Sequence, residues 1–394
     1  MSCLKWYKSE ETPPPPPSQR VLIIDMPDLV MRKILEEVDL VSIMKLRKVC
    51  RAFRNYIDDT KPDSKLFGIT IYVRSDTIIV SYWYFLSKPL REKTPSKEVT
   101  VFYKNNKNGC DIRFGQGQLK HVNGRNAFDV FCEDMQTVLG NQKTTISQFY
   151  FYDHKNVTSN EDESNSEDES NNEDESNSEE SRSLNIFQKS LELVFCRRRL
   201  GNKKTFVSQN TSSIAMYNQA FDFYLKILKS RKHPLQVRYL NISINGQDQL
   251  ETLLERVDPR ELKRLAINEE RYDIHPTVKG ELNLDILKNF GNLKHLLVLD
   301  FLITSSLESL SHILSIKGTF KKITATEILA RKETHLKSWY CDYVIKYDEF
   351  TDKSRLSEMF GTPSHQTAWK FDIPNSEKNL GVFLWLSRSV MFTM

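Results

Sequence analysis

Apolar residues recur at helical spacing in a short block near the start of the chain, residues 24–59. A first helix is predicted by one apolar stripe, which consists of Val30, Met31, Ile34, Leu35 and Val38. Asp25 is a good N-cap for this helix, with Pro27 in its first turn, and Asp39 can cap a second helix. A third helix is predicted by apolar residues four apart, namely Val49, Phe53 and Ile57.

A period of two replaces the helical period between residues 67 and 153, and this alternation predicts strands. The alternating positions are Ile69, Ile71 and Val73 in one segment and Val99, Val101 and Tyr103 in another. Residues 78–84 are rich in β-branched and aromatic side chains, and Asn108-Gly109 is a hairpin-type turn. Residues 126–139 form one predicted helix, with an apolar stripe of Phe128, Phe131, Met135 and Val138. Residues 143–153 return to strand.

A weak internal repeat occupies the last part of the chain. Four segments share apolar residues at their first, fourth and sixth positions: VRYLNI at 237–242, LKRLAI at 262–267, LKHLLV at 293–298 and FKKITA at 320–325. ISQFYF at 146–151 has the same shape, and predicted helices lie between the later segments at 249–257, 282–290 and 307–316. A strand and a helix in every such unit are typical of a leucine-rich-repeat-like solenoid. The asparagine that usually follows these strands is mostly missing, so an ordinary α/β domain with short parallel strands is the alternative.

Charge is distributed unevenly along the 394 residues. Residues 161–180 repeat the hexapeptide EDESNS with little change and carry eleven acidic residues and no basic one. The segment has no apolar residue to pack, which predicts a disordered acidic insertion. Once these eleven are removed from the total of 52 acidic residues, 41 remain against 56 basic ones, and this surplus favours acidic partners. Five prolines at residues 13–17 favour a stiff extended spacer or a segment that docks on an aromatic groove.

Three features bear on the cellular compartment. The six cysteines are scattered without a C-x-x-C pair, which is typical of a reduced intracellular chain. No apolar run resembles a signal peptide or approaches the roughly 18 residues of a membrane helix. Residues 197–204 hold five basic residues, which suit a nuclear import signal or the C-terminus of a helix predicted over residues 184–200. We therefore expect the chain in the cytoplasm, the nucleus or both, and no membrane partner.

Motifs for catalysis and for metal binding were sought and not found. The eight histidines include no H-E-x-x-H pattern, and together with the cysteines they show no zinc-ligand spacing. The sequence also has no P-loop, no G-x-S-x-G nucleophile motif and no dinucleotide fingerprint. We therefore expect no enzyme, no catalytic residue, no metal and no cofactor.

The block at residues 24–59 has more apolar residues than three short helices can bury, which implies a partner, either the rest of the chain or another protein. Its residue order resembles the F-box, whose pattern is a leucine-proline start, an isoleucine-leucine pair and a run of leucine-arginine, valine-cysteine-arginine and aromatic-arginine. The matching residues are Met26-Pro27, Leu29, Ile34-Leu35, Val38, Asp39-Leu40, Leu46-Arg47, Val49-Cys50-Arg51 and Phe53-Arg54. Met26 replaces the usual leucine, and Phe53 occupies the aromatic position that tryptophan often holds. Both changes keep the bulk and polarity of the side chain.

The remainder of the chain resembles the nematode proteins in which an F-box is followed by an FTH domain. The matching features are Lys61-Pro62, the strand-rich middle, HPLQVRYLNISI, DPRELKRLAI and the closing segment at residues 369–385. The resemblance implies that the chain binds a Skp-type adaptor and, through it, a cullin, as a substrate receptor of an SCF-type ubiquitin ligase. The expected adaptor-binding residues are Met26, Pro27, Leu29, Ile34, Leu35, Val38, Leu46, Val49, Cys50 and Phe53.

The target protein is expected on the repeat-containing part. If the apolar residues of each repeat face the core, the alternate positions form an open face, because side chains alternate along a strand. The expected target-binding residues on that face are Tyr239, Asn241, Arg264, Asn268, His295 and Lys322. Two other classes stay open: a non-catalytic scaffold or decoy, and a basic nucleic-acid-binding module, although nucleic acid is the less favoured partner.

Together these patterns predict an α+β or α/β chain: a three-helix F-box, a strand-rich region and an irregular leucine-rich-repeat-like solenoid of strands and helices. The expected division is a disordered start with the polyproline run (1–20), the F-box (21–60) and a strand-rich region with one helix (61–157). The disordered acidic repeat (158–182) and an FTH-like, substrate-binding domain (183–394) follow.

Overall fold

The computed structural model describes residues 23–74, 76–84, 97–153, 210–269, 280–336, 342–361, 363, 368–372, 379–385 and 389–393. The chain divides into two compact units, Met1–Pro62 and Asp63–Met394. The polyproline run, the acidic insertion and the helix and basic run predicted between residues 184 and 204 lie outside the described residues. Within the described ranges, no helix is long and apolar enough to cross a membrane.

The first unit, here called the helical unit, contains the three helices that the apolar periodicity predicts. They are α1 (Asp28–Glu37), α2 (Leu40–Val49) and α3 (Arg51–Thr60), after a 3-10 turn at Ile23–Asp25. The predicted N-cap at Asp25 is wrong, because α1 begins after Pro27, whose backbone is not helical (φ −52°, ψ 143°). Met26 precedes this proline, and a residue in that position is disfavoured in the α conformation, so the helix does not extend back to Asp25.

The junction between α2 and α3 confirms one prediction and corrects another. Asp39 caps α2, because its carboxylate accepts a hydrogen bond from Ser42 N at 2.7 Å. Val49 ends α2 and does not belong to the third helix, because the extended backbone of Cys50 (φ −154°, ψ 166°) separates the two helices. α3 is closed by Lys61, whose left-handed backbone (φ 48°) lets its N–H donate to Ile57 O.

The core of the helical unit is small. Leu35, Ile43 and Ile57 are at most 3% exposed, and three partly buried side chains pack against them: Val38, Leu46 and Tyr56. A unit of this size cannot cover all of its apolar residues, and the surplus stays on its surface.

The second unit, here called the sheet unit, is α+β and contains one mixed sheet, whose fifteen described strands are ordered β13-β14-β15-β12-β11-β10-β8-β7-β6-β1-β2-β3-β4-β5, with β9 beside β10. The strands are β1 (Leu66–Val73), β2 (Thr77–Tyr84), β3 (Lys97–Asn106), β4 (Gly109–Phe114), β5 (Lys120–Asn123), β6 (Ile146–Asp153), β7 (Val237–Ile244), β8 (Arg264–Glu269), β9 (Glu281–Leu282), β10 (His295–Ile303), β11 (Ser315–Thr324), β12 (Asp342–Thr351), β13 (Ala368–Asp372), β14 (Asn379–Trp385) and β15 (Ser389–Thr393). The helices are α4 (Ala127–Asn141), α5 (Asn210–Ser230), α6 (Gln247–Leu254), α7 (Ala325–Leu336) and α8 (Leu356–Phe360).

Parallel pairing is confined to the middle of the sheet. The strands that pair in parallel along the sheet order are β1, β6, β7, β8, β10, β11 and β12. The strands on either side of them pair antiparallel, including the β3–β4 hairpin that turns at the predicted Asn108-Gly109. Gly109 has a φ of 155°, a conformation that L side chains rarely adopt.

Most of the repeated segments form neighbouring parallel strands. The segments at 146–151, 237–242, 262–267 and 293–298 coincide with the first residues of β6, β7, β8 and β10 to within two residues. The segment at 320–325 differs, because β11 already begins at Ser315 and the segment covers its end. The repeat pattern therefore locates four of the five strands correctly.

The connections between these strands are shorter than predicted. The helix expected at 249–257 is α6, but the helix expected at 282–290 is a 3-10 turn at Asp285–Asn289. The helix expected at 307–316 is a 3-10 turn at Glu308–Leu310, followed by β11. Only residues 304–314 link β10 to β11, so a longer helix does not fit between these strands.

The turns beside the parallel strands are joined to one another by hydrogen bonds. Gln247, after β7, donates from Nε2 to Asn283 O at 2.9 Å and accepts from Asn283 N at 2.8 Å. Ser305, after β10, donates from Oγ to Asn283 Oδ1 at 3.1 Å, and Glu327 of α7 accepts from Leu307 N at 2.8 Å. These links use glutamine, serine and glutamate as well as asparagine, so they do not depend on one asparagine repeated after each strand.

Candidate functional site

Exposed apolar side chains are concentrated on the helical unit. The large apolar side chains that are exposed in the described part of the chain are Ile23, Met26, Leu29, Val30, Val49 and Leu119. All of these except Leu119 belong to the helical unit, and we name those five the exposed apolar surface. Leu29 is 80% exposed and Val49 is 67% exposed, so these side chains lie outside the core and not at its edge. Several large apolar side chains exposed on one small unit favour an interaction site there.

The structure sorts the ten expected adaptor-binding residues into three groups. Leu35 and Phe53 are buried in the three-helix bundle, at 2% and 8% exposure. Three are half-buried, namely Ile34, Val38 and Leu46. The exposed group is Met26, Pro27, Leu29, Val49 and Cys50. The exposed group contains the residues that an arriving protein can touch without unfolding the bundle.

Sequence reasoning missed two members of the exposed apolar surface, Ile23 and Val30. Val30 belongs to the apolar stripe that predicted α1, and a stripe on a helix normally faces a core. Its exposure follows from the small size of the bundle, in which Met31 and Leu35 already fill the buried side of α1. The signal that could have found Val30 is therefore the count of apolar residues against the size of the unit, which marks a surplus without locating it.

Two polar contacts hold the ends of α1 and α2 to α3. Arg47, near the end of α2, donates from Nε and Nη2 to the two carboxylate oxygens of Asp58 at 2.7 Å and 3.1 Å. The Tyr56 hydroxyl donates to Asp28 Oδ1 at 2.8 Å and lies 3.1 Å from Asp28 O, at the start of α1. Partial loss of water, together with the bond to Asp28, raises the pKa of Tyr56.

The corner between α2 and α3 is basic. Between residues 45 and 54 the chain carries five basic residues and no acidic one: Lys45, Arg47, Lys48, Arg51 and Arg54. Arg47 is paired with Asp58, and the other four are exposed. Val49 lies within this basic run, so an apolar contact and a positive field occupy the same corner and favour an acidic partner surface.

In the sheet unit, residues of equal register line up across the parallel strands. One row consists of Gln148, Tyr239, Arg264, His295 and Ser315, on β6, β7, β8, β10 and β11. The row beside it consists of Phe149, Leu240, Leu265, Leu296 and Ile316, all at most 2% exposed. Side chains of adjacent rows point to opposite faces of a sheet. The first row therefore lies on the face of the sheet opposite the apolar core. We name this opposite face the polar face.

Helix α5 packs on the apolar face. The Tyr224 ring stacks on Phe149 with ring centroids 5.0 Å apart, and the Phe221 ring meets Phe151 edge-on at 5.6 Å. The Tyr217 hydroxyl donates to Ser243 O at 2.7 Å, so the polar tip of this aromatic ring is satisfied in the core. These contacts identify the apolar face as the core and leave the other face of the parallel strands for polar side chains.

Five of the six expected target-binding residues lie together on the polar face. Arg264 places its guanidinium over the Tyr239 ring, 4.9 Å from the centroid, and Asn268 Nδ2 donates to Asn241 Oδ1 at 2.9 Å. Arg264 and Asn241 are buried at 4% and 9% exposure, while Tyr239 and Asn268 are half-buried. The buried pair therefore serves to hold the neighbouring side chains in place.

His295 completes this group, and Lys322 does not belong to it. Burial, reinforced by the positive charges of Arg264 and Lys294, lowers the pKa of His295 to about 4, so its imidazole is neutral near pH 7. Lys322 is exposed near the end of β11, opposite Glu349 of β12, and outside the row that contains His295. The structure thus brings together Tyr239, Asn241, Arg264, Asn268 and His295 and leaves Lys322 apart.

Three tyrosines extend the polar face and were missed by sequence reasoning. The Tyr152 ring stacks on Tyr72 of β1 at a centroid distance of 5.6 Å and on Tyr150 at 5.8 Å. Burial raises the pKa of Tyr150 to about 12. The alternation of aromatic residues in QFYFYD could have indicated both faces of β6, because Phe149 and Phe151 face the core and the alternating Tyr150 and Tyr152 do not.

The described residues contain no cluster of three or more histidine, cysteine or acidic side chains arranged to hold a metal ion. His121 Nδ1 lies 2.9 Å from Asp111 Oδ1, and Asn106 Nδ2 lies 2.8 Å from each of these two atoms. The bonds from His121 and Asn106 lower the pKa of Asp111. This group lies on exposed strands and serves to join β3, β4 and β5.

Comparison with known proteins gives one family match. Residues 23–65 match the model of the F-box domain, which covers the whole of α1, α2 and α3. A search of curated proteins and a search of solved structures each returned no match. The match supports a role in which this part of the chain binds a Skp-type adaptor, and it covers the unit that carries the exposed apolar surface.

Proposed function

We propose that this chain is a substrate-recognition adaptor of an SCF-type cullin–RING ubiquitin ligase. The observation that carries the proposal is the coincidence of the F-box match with the exposed apolar surface. A Skp-type adaptor is the partner that covers this surface, and a cullin is reached through the adaptor. Residues of the exposed group form the contact, and Leu35 and Phe53 shape it from beneath.

The available apolar area is sufficient for a specific complex. Burying a leucine-sized side chain contributes about 1.5–3 kcal/mol, and the exposed apolar surface supplies five apolar side chains. Association costs several kcal/mol in lost freedom, roughly 4–15 kcal/mol, so most of the five must be buried together for tight binding. The basic corner around Val49 adds steering toward an acidic surface.

The mechanism is proximity rather than chemistry by this chain. Other subunits of the ligase carry the activated ubiquitin, and this chain holds a lysine of the target beside it. Holding the two reactants in one complex converts a bimolecular encounter into an effectively intramolecular one. The chain itself therefore needs neither a catalytic residue nor a cofactor.

The polar face of the sheet unit is the proposed target-binding surface. Tyr239 and His295 are the proposed contacts within the aligned row, with Asn241, Arg264 and Asn268 beside them on the same face, and the exposed Lys322 is a separate contact. Half-buried tyrosine beside arginine is the composition of protein-binding hot spots. We include in this proposal the leucine-rich-repeat-like organisation of the parallel strands, an FTH-type domain as in nematode F-box proteins, and a cytoplasmic or nuclear location.

The adaptor interaction can be tested by charging the exposed surface without touching the core. Leu29→Asp and Val49→Asp place carboxylates at the two most exposed apolar positions of the helical unit. Leu119→Asp is the matched control, because Leu119 is 62% exposed and lies in the sheet unit. Each full-length variant is captured from lysate, and the bound Skp-type adaptor and cullin are measured.

We expect wild type and Leu119→Asp to capture both proteins and the double variant Leu29→Asp, Val49→Asp to capture neither, while circular dichroism shows the same helix content in all three. Capture of neither protein by the folded wild type would overturn the proposal. Retention of both by the double variant would place the contact elsewhere. Cullin-dependent turnover of a protein bound to the polar face then separates a substrate receptor from a decoy.

A further inference from the structure

The exposed apolar surface has two ends that belong to different helices. Leu29 lies in the first turn of α1, and Val49 is the last residue of α2. Neither side chain packs into the core of the unit, since they are 80% and 67% exposed. Their relative position therefore depends on what fixes the helix ends that carry them.

Both ends are fixed to the same helix, α3, by polar contacts. At the α2 end, Arg47 of the bidentate Arg47–Asp58 pair lies two residues before Val49, and Arg54 Nε also reaches Arg47 O at 3.5 Å. The fork of an arginine on a carboxylate fixes direction as well as distance. At the α1 end, the Tyr56 hydroxyl holds the carboxylate of Asp28, the residue next to Leu29.

The burial of these contacts fits a role in orientation. In the Arg47–Asp58 pair the side chains are 20% and 41% exposed, which places it at the edge of the core. The pair is bidentate and partly buried, so it contributes to folding as well, but the apolar core of Leu35, Ile43 and Ile57 contains neither Arg47 nor Asp58. A contact that fixes one end of a binding surface arranges that end before the partner arrives, which lowers the cost of ordering it on binding.

We infer that Arg47–Asp58 and Tyr56–Asp28 are positioning pairs for partner binding, which hold the Val49 and Leu29 ends of the exposed apolar surface on α3 in the arrangement that the adaptor recognises. This inference rests on the proposed function and deepens it. The residues touch one another and need not touch the partner, so they are positioning residues and not contact residues.

The test measures the affinity of the full-length chain for a recombinant Skp-family adaptor by calorimetry or surface plasmon resonance. Asp58→Asn removes the carboxylate, and Tyr56→Phe removes only the hydroxyl. The charge-swapped double variant, Arg47→Asp with Asp58→Arg, restores an ion pair of opposite direction. Glu37→Gln is the matched control, because Lys33 and Glu37 form an ion pair within α1 that links no two helices.

We expect Asp58→Asn and Tyr56→Phe each to weaken binding about tenfold, the equivalent of one charge-assisted hydrogen bond, and the swap to recover most of the loss. Glu37→Gln should bind as wild type does. Hydrogen exchange of the free protein gives a second readout: exchange should rise near residues 28–30 in Tyr56→Phe and near residues 48–51 in Asp58→Asn. A merely structural role would instead raise exchange throughout the helical unit.

The outcomes are distinguishable from one another. If wild type binds and both variants bind as tightly as Glu37→Gln, the inference is overturned and the proposed function stands. If the affinity falls only in proportion to the folded fraction measured by circular dichroism on the same samples, the pairs are structural and the inference again fails. If folded wild type does not bind the adaptor, the proposed function fails first.

Discussion

The helical unit and the sheet unit treat apolar residues differently. In the helical unit, a single helix carries Leu29 at 80% exposure and Leu35 at 2%. In the sheet unit, the aligned row of Phe149, Leu240, Leu265, Leu296 and Ile316 is buried throughout, and α5 packs on Phe149 at one end of it. A larger unit buries a larger fraction of its surface, whereas a unit of about 40 residues usually needs outside help to do so. The difference indicates that the helical unit is completed by a partner.

The polar residues of the two units also differ in how far they are exposed to a partner. The polar face of the sheet unit satisfies its buried groups internally, as in the Asn268–Asn241 bond and the Arg264–Tyr239 contact. The basic residues of the α2–α3 corner are mostly exposed and are not needed to close a core. Binding at the helical unit should therefore depend on apolar area and salt, and binding at the polar face on shape and on groups already held in place.

The comparison within α1 gives the largest expected effect. Leu35→Ala should lower the free energy of unfolding of the helical unit by about 2–5 kcal/mol, because it leaves a cavity in the core. Leu29→Ala should change it by less than about 0.5 kcal/mol, because the side chain is already in water. Hydrogen exchange at the amides of α1–α3 measures both values. Equal losses in the two variants would show that Leu29 is also part of the core.

The sequence predicted the existence of the three helices but not which of their apolar side chains are buried and which are exposed. Periodicity places Val30, Met31 and Leu35 on one stripe, and the bundle buries only Met31 and Leu35. The choice depends on how the helices pack, which a single helix does not encode. The F-box residue order located the site in the sequence. Which of its side chains are buried and which are exposed could be seen only in the structure.

In the sheet unit, local patterns located the strands better than the connections. The repeated shape placed β6, β7, β8 and β10, because alternating apolar residues are a property of each strand. The helices between the later strands were over-predicted, because leucines in 282–290 and 307–316 pack into short 3-10 turns as well as into helices. The polar face was found through the same alternation, but its tyrosines on β1 and β6 depended on strand pairing between distant segments.

Acid should weaken the sheet unit through His295. Its pKa falls from 6.5 to about 4 on folding, so the unfolded chain binds the proton more readily. The stability from neutral His295 is fully present above pH 6.5 and is lost as the pH falls from 6.5 toward 4, by up to about 3 kcal/mol. Urea unfolding of wild type and His295→Gln at pH 7.5 and pH 4.5 measures the difference. If the two proteins lose equal stability, His295 does not carry this loss.

Close packing of the sheet unit is tested at Gly68, where a β-carbon would lie 2.7 Å from Trp83 Cε3 and 3.3 Å from Gln148 O. Gly68→Ala should therefore cost about 1–3 kcal/mol of overpacking. Gly140 in α4 is the matched control, because nothing lies within 4 Å of a β-carbon there, and Gly140→Ala should be neutral or stabilise by up to about 1 kcal/mol. Adding Trp83→Leu to Gly68→Ala should recover part of the loss in urea unfolding, and no recovery would assign the cost to the backbone.

The smallest expected effect comes from removing a helix cap in each unit. It tests whether the two units differ in local structure or only in the burial of their side chains. Asp39 caps α2 and Asn126 caps α4, and each accepts a backbone hydrogen bond at 2.7 Å. Asp39→Ala and Asn126→Ala should each cost about 1 kcal/mol, and serine at either position should retain most of it. Hydrogen exchange at the first-turn amides of α2 and α4 compares the two losses. Equal losses would assign the contrast between the units to side-chain burial. A much larger loss for Asp39→Ala would mean that the helical unit also depends on local capping to remain folded without its partner.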